Sequence, residues 1–231
     1  METVKLPLGA RLWFADAPED PKGIVLICPG GGYQWLSPRE AEPVANAFTA
    51  GGWAAAVVYY TVRETPAQPP LGTLPVRQLG EAVQTAKQRF PALPVLVCGF
   101  SAGGHLAASL GVHWKELGLP RPDGMILGYP VITAGKYAHR GSIQNLAGSD
   151  DPGWYSLETQ ITAGYAAAER RMSQNEVDQN GGVRAGNAGV RIAFGICCRV
   201  RRAEHHNKDD HERAAGEPQH QRLRLLYLLQ R

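Results

Sequence analysis

Residues 95–105, Val95-Leu96-Val97-Cys98-Gly99-Phe100-Ser101-Ala102-Gly103-Gly104-His105, constrain the fold of this chain more than any other stretch. A short apolar run rises into Gly-x-Ser-x-Gly and continues without a break into an alanine-rich helical pattern. A strand that passes through one sharply turned serine into a helix belongs at the top of a parallel sheet. Glycines beside that serine suit a turn where neighbouring backbones pack closely.

The surrounding segments repeat the strand-then-helix order. Ile24-Val-Leu-Ile-Cys28 is continuously apolar, as a strand buried on both faces must be. Pro29-Gly30-Gly31-Gly32-Tyr33 ends it abruptly, and Ser37-Pro38-Arg39-Glu40 reads as a capping box with proline at the first helical position. Ala41, Val44, Ala45 and Phe48 follow at helical spacing, Pro43 predicts a kink, and Gly51-Gly52 stop the helix. Ala54 to Tyr60 reads as the next strand, and residues 61–75 as a proline-rich connection. Val76, Leu79, Val83, Ala86 and Phe90 form a helical stripe that ends before Pro91 and Pro94. Residues 95–98 read as a strand, 102–117 as its helix, and Gly124 to Tyr129 as a further strand closed by Pro130. This alternation predicts βαβ units in a parallel sheet with helices on both faces.

The chain has 231 residues, enough for one sizeable core. Its net charge of +3 hides a split, because residues 1–160 carry 12 Lys+Arg against 13 Asp+Glu while residues 161–231 carry 12 against 8. The first part is therefore no nucleic-acid binder on charge grounds, and Arg199 to Arg202 is too short and too poor in aromatics to read as an RNA contact. No apolar run approaches a membrane span, and no early stretch has the build of a secretory leader. Cys28, Cys98, Cys197 and Cys198 form no disulfide framework or metal spacing, so the expectation is a cytoplasmic protein with reduced, buried thiols. Nothing in the sequence specifies an oligomeric state.

A serine attacks an ester carbonyl only with help: a base to take its proton, an acid to orient that base, and backbone donors for the oxyanion. The triple-glycine loop suits the last task, since N–H groups there point outward with no side chain in the way. A phosphate-binding loop is the rival reading, but neither the dinucleotide fingerprint nor Gly-x-x-x-x-Gly-Lys-Ser/Thr is present. Paired with Ser101 about 70 residues later, the loop becomes a strong signal for acyl transfer.

Three stretches carry a family resemblance. They are Lys22 to Tyr33 with Pro-Gly-Gly-Gly, Cys98 to Ala108 with the serine turn, and Arg121-Pro-Asp-Gly-Met-Ile-Leu-Gly-Tyr-Pro-Val131. Together they resemble bacterial α/β-hydrolase-fold esterases, closest to the acetyl-xylan/feruloyl-esterase-like carbohydrate esterases. The likeness runs from about residue 3 to Gln160. It implies an α/β-hydrolase fold, Ser101 as nucleophile, and Gly31, Gly32 and Ala102 as oxyanion donors. It also implies hydrolysis of a small ester or acylated sugar through an acyl-enzyme, with no metal or organic cofactor.

After Gln160 the character changes. Sixteen of the 17 prolines and all five tryptophans precede that point, and the remainder uses 11 arginines but one lysine. Residues 1–160 read as the hydrolase core and 161–231 as an atypical C-terminal segment, partly disordered or produced by a switch of reading frame near codon 160. Only Val190 to Val200 and Leu223 to Leu229 look like sheet or core material there. The resemblance calls for an Asp near 175–180 and a His near 205–212, intervals that hold Asp178 and His205, His206 and His211. None follows an apolar run, and His205, His206, Asp209, Asp210 and His211 read as a solvated charged run rather than a metal site. His105 sits too close to Ser101 in sequence to swing back over it, and reads as a packing or hydrogen-bonding helix residue. An inactive hydrolase-fold protein, acting as a binding module or a defective product, is the alternative expectation.

Overall fold

The computed structural model describes residues 2–148, 152–160 and, by backbone alone, 191–193, all within one compact unit, Met1–Ile196. Among the described residues, seven strands form one sheet: β1 (Glu2–Lys5), β2 (Arg11–Phe14), β3 (Ile24–Cys28), β4 (Ala54–Tyr59), β5 (Val95–Phe100), β6 (Gly124–Gly128) and β7 (Arg191–Ala193). Their order across the sheet is β1-β2-β4-β3-β5-β6-β7. The pairings from β4 to β7 are parallel; β1 with β2 and β2 with β4 are antiparallel.

The continuous apolar runs arise because both faces of the sheet are covered. On β3, Ile24, Leu26 and Cys28 join one core cluster while Val25 and Ile27 join the other. The first cluster is completed by α2 (Leu74–Arg89), through Val76, Leu79, Ala82, Val83 and Ala86, and by α3 (Ala102–His113), through Leu106, Ala107 and Leu110. The second is completed by α1 (Glu42–Ala50), through Ala45 and Phe48. A side chain of this size gains about 1.5–3 kcal/mol on full burial, so the two layers carry much of the fold's stability. Cys28 and Cys98 are free and buried, and desolvation pushes both thiols up, Cys98 to about 12.

Two local expectations fail at the start of α1. Residues 38–40 form a 3-10 turn with no side-chain cap from Ser37, and the Glu40 carboxylate instead accepts the N–H of Gly30 at 2.8 Å. A tertiary partner for the carboxylate displaces the local capping box. The α-helix begins at Glu42, so Pro43 occupies its first turn, where a missing N–H costs no intrahelical bond, and the kink is not needed. Helix α3 ends at His113 rather than near 117. Sequence reasoning missed β1, β2, the 3-10 turns Pro152–Tyr155 and Leu157–Thr159, and α4 (Arg140–Ala147), whose first turn is capped by His139 accepting from the Ser142 N–H. Of Val190 to Val200, Arg191–Ala193 pairs with Gly124–Ile126 of β6; the rest lies outside the described residues.

Candidate active site

Strand β5 turns into α3 at Ser101, whose φ of 51° and ψ of −116° fall where a residue with a side chain is strained. Such a conformation costs on the order of 1–3 kcal/mol and persists only where its surroundings hold it. Here they hold it from three sides. The Ser101 N–H donates to Gly128 O at 3.0 Å, and Ser101 O accepts from His105 N and Val131 N, each at 3.0 Å. The flanking glycines are sterically required: a Cβ on Gly103 would collide with the carbonyls of Cys28 and Pro29, and one on Gly99 with that of Gly103. The serine is half-exposed at the N-terminus of α3, where the first N–H groups, beginning with that of Ala102, lack intrahelical partners.

The triple-glycine loop abuts this turn. A Cβ on Gly30 would stand 3.0 Å from Ser101 Cβ and 2.8 Å from Phe100 O. Every carbonyl of the loop is taken. Pro29 O accepts from Tyr60 Oη at 2.5 Å, Gly30 O from Ser37 N at 2.9 Å, and Gly31 O from Gln34 N at 3.0 Å. Gly32 O accepts from Asn145 Nδ2 at 3.0 Å and Tyr33 O from Arg63 N at 2.8 Å. Of the donors, the Gly30 N–H goes to Glu40, while those of Gly31, Gly32 and Tyr33 have no acceptor among the described residues. Positive φ at Gly31 (126°), Gly32 (66°) and Tyr33 (60°) folds the loop into a tight turn, which glycine accommodates without strain at the first two positions.

His105 is not available as a base. It is buried, its Nδ1 lies 2.9 Å from Tyr33 Oη, and its Nε2 lies 2.9 Å from the carbonyl of Tyr155. A carbonyl only accepts, so Nε2 carries the proton and Nδ1 accepts from the tyrosine. Burial, against the pull of that carbonyl, lowers its pKa to about 4 and keeps it neutral. His113 is also buried, stacked on Trp154 with ring centroids 3.8 Å apart and paired through Nδ1 with Glu116 at 2.9 Å. His139 stands near Gly32, with its Nδ1 on Ser142 Oγ at 2.8 Å. Among the described residues no side chain hydrogen-bonds Ser101 Oγ. Asp178 and His211, with the 205–211 cluster, lie outside the described residues.

The structure thus brings Ser101, Ala102 and the Gly31-Gly32 loop together. It adds residues that sequence reasoning missed: Glu40, Tyr60, Tyr129 and Asn145, which tether the loops around the serine. The apolar run Val57-Val58-Tyr59-Tyr60 and the Gly128-Tyr129-Pro130 turn were visible in the sequence, but nothing in it paired them with the glycine loop. The described residues contain no cluster able to hold a metal ion and no helix long and apolar enough to cross a membrane.

Comparison with known proteins agrees with this architecture. Among curated proteins, endo-1,4-beta-xylanase B of Butyrivibrio fibrisolvens is 34% identical over 155 residues, 59% of this chain and 24% of the xylanase. The chain therefore spans about a quarter of that relative's length. Among solved structures, the acetyl ester-xyloside bifunctional hydrolase of Caldicellulosiruptor lactoaceticus aligns with a TM-score of 0.56 at 28% identity, covering 68% of this chain and 63% of that one. A sugar hydrolase of Lactococcus lactis aligns equally well, at 27% identity over 70% of this chain and 66% of its own. A family described by its alpha/beta hydrolase fold matches residues 30–178, more than half of the sequence. That match begins in the glycine loop, contains the serine turn and extends past Gln160, and with it the chain belongs to the alpha/beta hydrolase fold family.

Proposed function

We propose that the chain is a serine hydrolase of small carboxylic esters, with acylated sugars, acetylated or feruloylated, as its substrate class. The observation that carries this reading is Ser101, held at φ 51° on the N-terminus of a helix with a loop of unpaired N–H groups packed against it. Ser101 Oγ attacks the ester carbonyl, a base takes its proton, and the tetrahedral oxyanion is held by the N–H groups of Gly31, Gly32 and Ala102. Collapse expels the alcohol with that proton and leaves an acyl-serine, which water cleaves to the acid and free enzyme. His211 as base and Asp178 as its orienting acid complete the triad in this proposal. The likeness to a hydrolase named for both an acetyl ester and a xyloside supports the sugar-ester class. Turnover of p-nitrophenyl acetate that vanishes in Ser101→Ala is the expected result; equal turnover in both proteins refutes it.

A second reading has its own observation. No described side chain reaches Ser101 Oγ, and the three described histidines are each engaged elsewhere. An inactive hydrolase-fold protein that binds but does not cleave esters follows if His211 and Asp178 do not reach the serine. Loss of a triad histidine costs on the order of 10⁶ in turnover, so the same assay separates the two readings.

A further inference from the structure

We propose that Glu40 is a positioning residue: its carboxylate is a strut that ties the glycine loop to the turn after β6 and so aims the Gly31 and Gly32 N–H groups at Ser101. The proposal rests on reading that loop as the oxyanion site. Strands β3 and β6 flank β5 in the sheet, so the loop after β3 and the turn after β6 lie on either side of the serine turn that ends β5. Glu40 reaches both. Its Oε2 accepts the Gly30 N–H at 2.8 Å, and its Oε1 accepts the Tyr129 hydroxyl. Gly128, one residue before Tyr129, is the acceptor for the Ser101 N–H, so the strut ends on the backbone that fixes the nucleophile.

Two further features fit this role. A Cβ on Gly30 would stand 2.8 Å from Glu40 Oε2 and 3.0 Å from Ser101 Cβ, so only glycine lets the carboxylate, the loop and the serine meet. Tyr129 is held at φ 35°, a strained value for a residue with a side chain, and it is largely exposed, so burial does not hold it there. The hydrogen bond to Glu40 does so together with the backbone bonds on either side, from Ser101 N to Gly128 O and from Val131 N to Ser101 O. By occupying the Gly30 N–H, Glu40 also leaves the donors to Gly31 and Gly32.

A carboxylate this close to a developing oxyanion opposes it electrostatically, which makes the test directional. If charge were its main effect, Glu40→Gln would raise kcat; if Glu40 aims the loop, kcat falls despite the lost charge. Hydrogen bonds to a charged acceptor are roughly twice as strong as neutral ones, so the expected fall is ~10–100-fold for Glu40→Ala, with KM changed less than about threefold. Glu40→Gln, which keeps an acceptor for Gly30, and Tyr129→Phe, which cuts the other end, are expected to fall between wild type and Glu40→Ala.

A second measurement needs no turnover. In the full chain labelled with 1-¹³C-proline and ¹⁵N-glycine, only Gly30 and Gly153 follow proline, so the Gly30 amide is one of two signals. It is expected to sit downfield in wild type and to move upfield in Glu40→Ala. Hydrogen exchange of the peptide spanning residues 29–36 is expected to rise at least ~10-fold in that variant, with a control peptide from α2 unchanged. An unmoved Gly30 amide, unaltered loop exchange, or unchanged or raised kcat in Glu40→Gln overturns the strut. If wild type turns over no ester, the hydrolase reading fails, and the amide and exchange results alone decide the strut.

Discussion

His105 makes a specific pH dependence of stability that can be worked out from its surroundings. It is buried between Tyr33 of the glycine loop and the carbonyl of Tyr155, and burial lowers its pKa to about 4. In the unfolded chain a histidine titrates near ~6.5. Below that value the unfolded state binds a proton that the folded state refuses, so acid favours unfolding. The contribution is complete above pH ~6.5 and is lost as pH falls toward 4, reaching about 1.4 kcal/mol at pH 5.5 and about 3 kcal/mol at pH 4. Urea unfolding of wild type and His105→Gln at pH 7.5, 5.5 and 4 isolates it. Glu116 and Glu158, whose carboxyls are held below their usual range, also weaken the fold in acid; comparing the two proteins cancels the Glu116 share, and that of Glu158 apart from its interaction with His105. The variant is expected to be less stable at neutral pH and to lose about 3 kcal/mol less than wild type on acidification to pH 4. Parallel pH profiles would refute a neutral, buried His105.

Three other substitutions test the packing and tethering of the site. Gly103→Ala places a methyl group against the carbonyls of Cys28 and Pro29, and thermal unfolding is expected to show a loss of about 3 kcal/mol or more, or no folded protein. An unchanged melting temperature would contradict the close crossing of α3 over β3. Tyr60→Phe leaves the Pro29 carbonyl without its donor, for an expected loss of about 1–3 kcal/mol by urea unfolding. Asn145→Ala frees the Gly32 carbonyl and, on the ester-hydrolase reading, lowers kcat by ~10-fold while the melting temperature moves by only a few degrees.

The central sheet was legible because its strands are buried on both faces. Ile24–Cys28 and Ala54–Tyr59 appear as unbroken apolar runs for that reason, and the α2 stripe appears because one helix face meets the core. Strands β1 and β2 were not legible: the Glu2–Lys5 side chains are mostly exposed, so no alternation marks β1, and β2, although its Leu12 and Phe14 are buried, has only four residues in which to show a period. The capping box at Ser37 failed because Glu40 finds a better partner 10 residues back, a contact that no local window contains. For the same reason the serine turn and glycine loop could be read from glycine spacing, whereas Glu40, Tyr129 and Asn145 could not. Their roles exist only once β3, β5 and β6 lie side by side.

The claim on which the rest depends is that Ser101 is an activated nucleophile. Incubation of the full chain with a fluorophosphonate, followed by peptide mass spectrometry, tests it directly, because phosphorus is attacked only by a serine with its proton taken and its oxyanion held. The expected result is a single phosphonyl adduct on the peptide containing Ser101, reduced in Glu40→Ala and absent in Ser101→Ala. An unmodified Ser101 at saturating reagent, or an adduct confined to other residues, would contradict it.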